Sequence, residues 1–177
     1  MKKVFIITGF AIILFGLDFF LTMYYLQNYS HLVGEGNPLA LGEYGYISLI
    51  LNVVYLLLIF MFSFYLQRYQ TFVVKANNMK QYIKKIYTSH NTQFIFSISC
   101  FVFIVGSFSS RIMVITDWVV FGLYKTTFYE TLYANIRMNL PFQRYDIIVG
   151  ILVGLLAIPL WFFIEYRKSK KTQLIEK

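Results

Sequence analysis

The amino-acid sequence predicts an all-α fold, a bundle of four helices that spans a membrane. Hydrophobic residues make up 58% of the chain and charged residues only 14%, whereas soluble domains average about half and about a quarter. Aromatic residues reach 20%, and such side chains are enriched where a bilayer meets water. Four apolar runs are each close to the roughly twenty residues that cross a bilayer as a helix.

These runs define one transmembrane domain that comprises residues 1–177. We predict spans at about 4–27, 46–67, 93–115 and 146–166. Each must be helical because a bilayer offers no partners to backbone polar groups. Pro159 lies inside the fourth run and is expected to kink it. The first run follows two lysines, as in a signal peptide, but the absence of a small-residue cleavage site favours a retained helix.

The basic residues predict the orientation. Two precede the first span, five lie between the second and third spans, and five follow the fourth, so 12 of the 16 Lys and Arg residues share one side. The positive-inside rule therefore predicts a multi-pass protein of the cell membrane with both termini in the cytoplasm. This distribution explains the net charge of +8 by attraction to membrane lipids, and argues against nucleic acid as a partner.

Two connecting segments have amphipathic patterns. Residues 69–91 are basic and carry apolar residues such as Ile83 and Ile86 at roughly helical spacing. They lie either along the cytoplasmic leaflet or in a solvated linker. Residues 124–140 place their larger apolar side chains on one helical face and are followed by Pro141. This pattern predicts an amphipathic interfacial helix in the second outer loop.

Most intramembrane polar residues fall in the outer half of the predicted bundle. Asp18 is the only acidic residue well inside a span, about 21 Å from its inner edge, and Thr22 follows one turn further out. Arg111 lies about 26 Å along its span, within one turn of the depth of Asp18. We therefore expect these two side chains to form a pair. Three further polar residues share this half of the bundle: Asn52, Tyr55 and Ser107.

The polar residues have two interpretations. If the polar faces meet, they form an outward-facing pocket covered by the loop that contains Glu35 and Asn37. The alternative is a cluster that only fixes helix packing, since hydrogen bonds between membrane helices contribute about 0.6 kcal/mol on average. Packing alone explains one polar contact easily and a concentration on one side of the bundle less well, and both interpretations stay open.

A short pattern supports the grouping of these residues. Asp18-x-x-x-Thr22 is followed by Glu35-Gly36-Asn37-Pro38. This pair of motifs resembles an uncharacterised family of small prokaryotic polytopic membrane proteins, in which an Asp-x-x-x-Thr helix motif precedes a Glu-x-Asn-Pro loop motif. The resemblance covers about 21 of 177 residues. It implies that these positions belong together and implies no activity. Asn37 before Pro38 also suits the start of a helix.

The fourth span has a structural pattern. Gly150 and Gly154 form a GxxxG step, which permits the close approach of a neighbouring helix. That helix can belong to the same chain, to another membrane protein or to a second copy of the chain. Asp146, at the outer end of this span, is expected to be a surface charge.

Metal and cysteine chemistry find little support. Cys100 is the single cysteine, so an intramolecular disulfide and a cysteine-rich metal site are excluded. The two histidines, His31 and His90, fall on opposite sides of the membrane in the predicted orientation, and no HExxH pattern is present. We expect no metal and no cofactor.

Two functions remain open. The first is a non-enzymatic protein that binds a small ligand, a lipid or a partner membrane protein through the outer-leaflet polar pocket. The alternative is an intramembrane enzyme that acts on a lipid or a membrane-anchored substrate. In that case Asp18 would be the acid/base group, Glu35 a second carboxylate, and Arg111 would hold an anionic headgroup.

Overall fold

The computed structural model describes residues 2–28, 45–124 and 145–175. The regular structure in these ranges is entirely helical: α1 Lys2–Asn28, α2 Gly45–Arg68, α3 Met79–Thr88, α4 Thr92–Tyr124, α5 Tyr145–Leu156 and α6 Ile158–Ile175. Four segments are long and apolar enough to cross a membrane, namely α1, α2, α4, and α5 with α6. The predicted all-α architecture, with four helices that could span a membrane, is thereby confirmed. The interfacial helix predicted in the second outer loop lies outside the described residues.

Helix α4 is the centre of the bundle, since α1, α2 and α5 all pack against it and α1 also packs against α2. Ala11 of α1 and Ile59 of α2 are fully buried in this core beside Phe15. Ala11 packs with Ile59 and Phe15 with Tyr55, so the numbering rises along α1 as it falls along α2, and the two helices are antiparallel. Helix α2 ends and α4 begins at the end of the bundle where Lys2 and Ile175 also lie, and we call this the terminal end. We call the opposite end the far end.

The contact between α4 and α5 depends on glycine. A Cβ atom added at Gly106 would lie 2.7 Å from the carbonyl oxygen of Gly150, and one added at Gly150 would lie 2.7 Å from that of Gly106. A Cβ atom at Gly154 would meet Val102 at 3.0 Å. The close approach that the Gly150–Gly154 step permits is therefore made inside the chain. A partner protein or a second copy would have to use another surface.

The fourth span is interrupted near Pro159, as the sequence predicts. The N–H of Ala157 bonds to the carbonyls of both Val153 and Gly154, at 3.0 and 3.1 Å, and helical bonding resumes from Trp161 to Ala157 at 3.0 Å. Proline has no N–H to continue the ladder, so α5 ends and α6 begins at this point.

Helix α4 continues well beyond the predicted end of its span at residue 115. Thr116 and Asp117 end the apolar run, yet the helix extends to Tyr124. Thr116 donates its hydroxyl to the carbonyl of Ile112 at 2.8 Å, which satisfies the side chain within its own helix. Asp117 is buried. The two polar residues therefore interrupt the apolar run without ending the helix.

Residues 69–91 form a cap on the terminal end, and part of this cap is the amphipathic helix α3. Asn78 caps α3 by accepting a hydrogen bond from the N–H of Gln81 at 2.8 Å. Tyr82 and Ile86 on the apolar face of α3 are buried against α6. Tyr82 lies near Tyr166 and Tyr87 near Phe162, so α3 runs antiparallel to α6. Tyr82 and Ile86 of the apolar face therefore pack on protein.

Candidate functional site

The far half of the bundle contains an ion pair held by three helices. Arg111 of α4 donates through Nη1 to Oδ2 of Asp18 in α1. The second nitrogen, Nη2, donates to Oδ1 of Asn52 in α2 at 3.1 Å. Thr22 donates its hydroxyl to the other carboxylate oxygen of Asp18 at 3.4 Å. The expected pairing of Asp18 with Arg111 is confirmed. We call these four residues the polar site.

Helical spacing explains how α1 and α4 meet at this point. Phe15 lies one turn before Asp18, so its ring and the carboxylate share a face, and the guanidinium of Arg111 lies 4.3 Å from the ring centroid. Seven residues beyond each partner, Tyr25 and Trp118 stack at 5.0 Å with their planes 8° apart. Two turns of contact therefore hold the two helices in register around the pair.

The polar site is largely, but not completely, enclosed. The side chains of Arg111 and Asp18 are 17% and 12% exposed. Opposite charges in such surroundings are strongly coupled, because removal of either partner leaves an uncompensated charge out of water. The guanidinium is also fixed in orientation, since one nitrogen bonds to a carboxylate and the other to an amide oxygen. These two bonds use two of the five N–H groups of the guanidinium.

Two of the predicted site residues do not join the polar site. Ser107 donates its hydroxyl to the carbonyl of Phe103 in its own helix at 2.7 Å. Tyr55 is 40% exposed and places its ring against Phe103 at 5.2 Å and against Phe15 at 6.2 Å. Its contacts are aromatic. The other two predicted site residues, Glu35 and Asn37, lie outside the described residues.

Asp146 differs from its expected role as a surface charge. Its side chain is buried, and Oδ2 accepts a hydrogen bond from Ser110 of α4 at 3.1 Å. It also lies close enough to Asp18 for the two carboxylates to interact electrostatically. Ser110 precedes Arg111, so α4 contacts both carboxylates with consecutive residues. The sequence alone could not show this, because it does not specify that α5 begins beside this part of α4.

Another buried carboxylate, Glu165 at the terminal end, is absent from the sequence prediction. Glu165 is fully buried, and its Oε1 accepts a hydrogen bond from Lys168 at 2.7 Å. Among the described residues no group bonds to Oε2. It was missed because the apolar run ends at Ile164, which suggests a rim position. The covering segment comprises residues 69–78 and α3.

The tyrosines of the cap are affected by this carboxylate. Burial, and then the negative charge of Glu165, raises the pKa of Tyr69 to about 12. The same two causes raise the pKa of Tyr82. Tyr82 donates its hydroxyl to the carbonyl of Phe72 at 3.0 Å. The cap therefore keeps neutral tyrosines next to the buried acid.

Comparison with family models, with curated proteins and with solved structures finds no match. A function must therefore be inferred from the residues themselves.

Proposed function

We propose that this chain is a multi-pass protein of the cell membrane, with both termini in the cytoplasm. In this proposal the polar site binds a small polar ligand or a lipid headgroup from the outer side. The observation that carries the proposal is that Asp18, Asn52 and Arg111, from three different helices, meet at one place. The Asp18–Arg111 pair stays partly accessible there.

The form of the cluster favours binding over packing alone. A single hydrogen bond between two helices would hold them together at modest gain. The polar site instead orients a guanidinium from two directions and supports it on the ring of Phe15. A planar guanidinium fixed in this way suits bidentate recognition of a carboxylate or phosphate. A polar ligand could also bond to the carboxylate of Asp18.

Accessibility from the outside can be tested by cysteine labelling. Replacing Cys100, the single cysteine, by Ala gives a background for Thr22→Cys, which places a thiol beside Asp18. We expect a membrane-impermeant thiol reagent added to intact cells to label Thr22→Cys, because a site that admits a polar ligand also admits water.

Leu57→Cys in the same background is the control. Leu57 is exposed on α2 and apolar, and a thiol surrounded by lipid reacts poorly because it does not ionise there. Labelling of Thr22→Cys only after the cells are opened would contradict the outer position. If neither variant is labelled, even in opened cells, the polar site is not accessible to water and the proposal is contradicted.

The ligand itself can be sought by mass spectrometry of molecules that copurify with the protein. We expect a species bound to the wild type to fall at least about five-fold in the double variant Asp18→Asn/Arg111→Gln, a loss of about 1 kcal/mol. Equal amounts in both proteins would show that the polar site does not bind it. The double variant is suitable because it removes both charges and leaves neither unpaired.

One observation favours a second candidate function, an enzyme that acts on a lipid or a membrane-anchored substrate. Asp146 supplies a buried carboxylate near Asp18, and two carboxylates in one site can divide the roles of acid and base. In cells without the gene, an accumulating lipid precursor would favour this candidate. We then expect Asp146→Asn to reproduce the accumulation and Ser110→Ala to have little effect. An unchanged lipid profile favours binding.

A further inference from the structure

Two arginines at the terminal end share one arrangement. The guanidinium of Arg68, at the end of α2, lies 4.2 Å from the ring centroid of Phe64. The guanidinium of Arg167 in α6 lies 4.4 Å from that of Phe163. In both cases the arginine follows the phenylalanine by four residues, which places the two side chains one above the other on the helix.

This arrangement turns both guanidinium groups back along their helices, toward the middle of the span. Helical side chains tilt toward the N-terminus of their helix, and both α2 and α6 run toward the terminal end. A long basic side chain at the end of a span can otherwise extend into water. Stacking on an aromatic ring is attractive and holds the guanidinium at the level of the ring.

The surroundings of these arginines are basic and, within residues 2–28, 45–124 and 145–175, contain no exposed acid at this end. Both arginines are exposed, and no carboxylate among the described residues pairs with either. Glu165, the acidic residue described at this end, is fully buried and pairs with Lys168. Lys84 of α3 and Lys171 of α6 are also exposed at this end of the bundle. The positive electrostatic potential at the terminal end therefore attracts anions.

We propose that Arg68 and Arg167 are two subsites for the phosphate of anionic phospholipid headgroups. A guanidinium can bond to two phosphate oxygens at once, and here it is held in place by a ring at the end of an apolar span. Phe163 is half-exposed below Arg167, so an acyl chain can contact the ring while the phosphate contacts the guanidinium. This apolar surface favours a lipid over free phosphate. The inference does not depend on the ligand of the polar site.

Native mass spectrometry of the purified full chain can measure binding of phosphatidylglycerol and of phosphatidylcholine. We expect phosphatidylglycerol to bind more tightly than phosphatidylcholine. Arg68→Gln and Arg167→Gln should each weaken phosphatidylglycerol binding about five-fold, since a basic residue near an anionic lipid contributes about 1 kcal/mol. Phe163→Leu should weaken it about two-fold, because the apolar contact remains and the stacking is lost.

Lys171→Gln is the matched control, since it removes one exposed positive charge from the same helix. A change of less than about two-fold is expected. An effect equal to that of Arg167→Gln would overturn the proposal, because a general basic surface would then explain the binding. The proposal would also fail if inorganic phosphate displaced phosphatidylglycerol at equal concentration. Unchanged melting temperatures of the variants in lipid-free detergent would show that lost binding does not come from unfolding.

Discussion

At the residue scale, the Asp18–Arg111 pair combines two groups with different responses to the loss of a partner. A carboxylate that loses its counter-ion in a poorly hydrated place can take up a proton and become neutral. A guanidinium cannot lose its proton under ordinary conditions. Asn52 offers Arg111 a hydrogen bond at 3.1 Å but no charge. The arginine therefore depends on Asp18 more than Asp18 depends on the arginine.

This asymmetry gives a prediction for stability. Asp18→Asn should destabilise the protein by roughly 3 kcal/mol, because it leaves Arg111 charged and without a counter-ion. Arg111→Gln should cost less, because Asp18 can bind a proton. The double variant should be more stable than Asp18→Asn alone. Thermal unfolding in detergent measures all three proteins. Losses that simply add in the double variant would show that the two residues are not coupled.

At the element scale, the contact between α4 and α5 depends on the absence of side chains. Gly106 and Gly150 face each other so closely that either Cβ atom would meet a backbone carbonyl. Backbone atoms cannot move aside as the end of a flexible side chain can. This close packing also brings the start of α5, with Asp146, beside Ser110 of α4. The glycines thus influence which polar groups lie near the polar site.

Alanine substitutions test this contact directly. Gly106→Ala and Gly150→Ala should each destabilise the protein by about 1–3 kcal/mol, because the helices must separate to admit the methyl group. Gly9→Ala is the control, since nothing lies within 4 Å of a Cβ atom at that position. It should be neutral or slightly stabilising, because alanine favours a helix. Denaturation by increasing SDS measures each change. A tolerated Gly106→Ala would contradict the contact.

The cap shows how another element is positioned by side chains. Ser169 of α6 accepts the N–H of Val74 at 3.1 Å, and Gln173 donates to the carbonyl of Val74 at 2.5 Å. These bonds satisfy the N–H and the carbonyl of Val74, which lies in a stretch of the cap outside any helix. Residues 69–78 are therefore held on α6 by polar side chains, while α3 adds the apolar contact.

At the scale of the whole molecule, the bundle is asymmetric. Helices α1, α2 and α4 pack against one another, whereas α5 packs mainly against α4. At the terminal end, α6 is also joined to the rest of the chain by the cap. The polar site lies toward the far end and the two stacked arginines at the terminal end. In the proposed orientation these are the outer and the cytoplasmic sides of the membrane.

Reporter insertions can test that orientation in the full chain. A reporter at Gly42 should give a signal for the outer side, and one at Lys80 should give a signal for the cytoplasm, because most basic residues share the side of Lys80. A reporter after Lys177 should agree with the one at Lys80. A cytoplasmic signal at Gly42 would reverse the orientation, and the polar site would then be reached from inside the cell.

The sequence by itself determined the fold class and the depth of the main charges. The apolar length of a span is a local property, so four spans could be counted without knowledge of their packing. The depth of Asp18 and Arg111 follows from a fixed rise per residue, so their meeting could be predicted as soon as two helices were assumed to be neighbours.

Only the tertiary structure decided which polar residues contact one another and which are buried. Whether Ser107 turns to its own helix, whether Asp146 is buried, and whether Glu165 lies under a cap all depend on which neighbour covers each face. Hydrophobicity along the chain cannot indicate which neighbour buries a residue. A polar residue that protein buries and a polar residue exposed at the rim of a span interrupt an apolar run in the same way. Only the packed helices distinguish them.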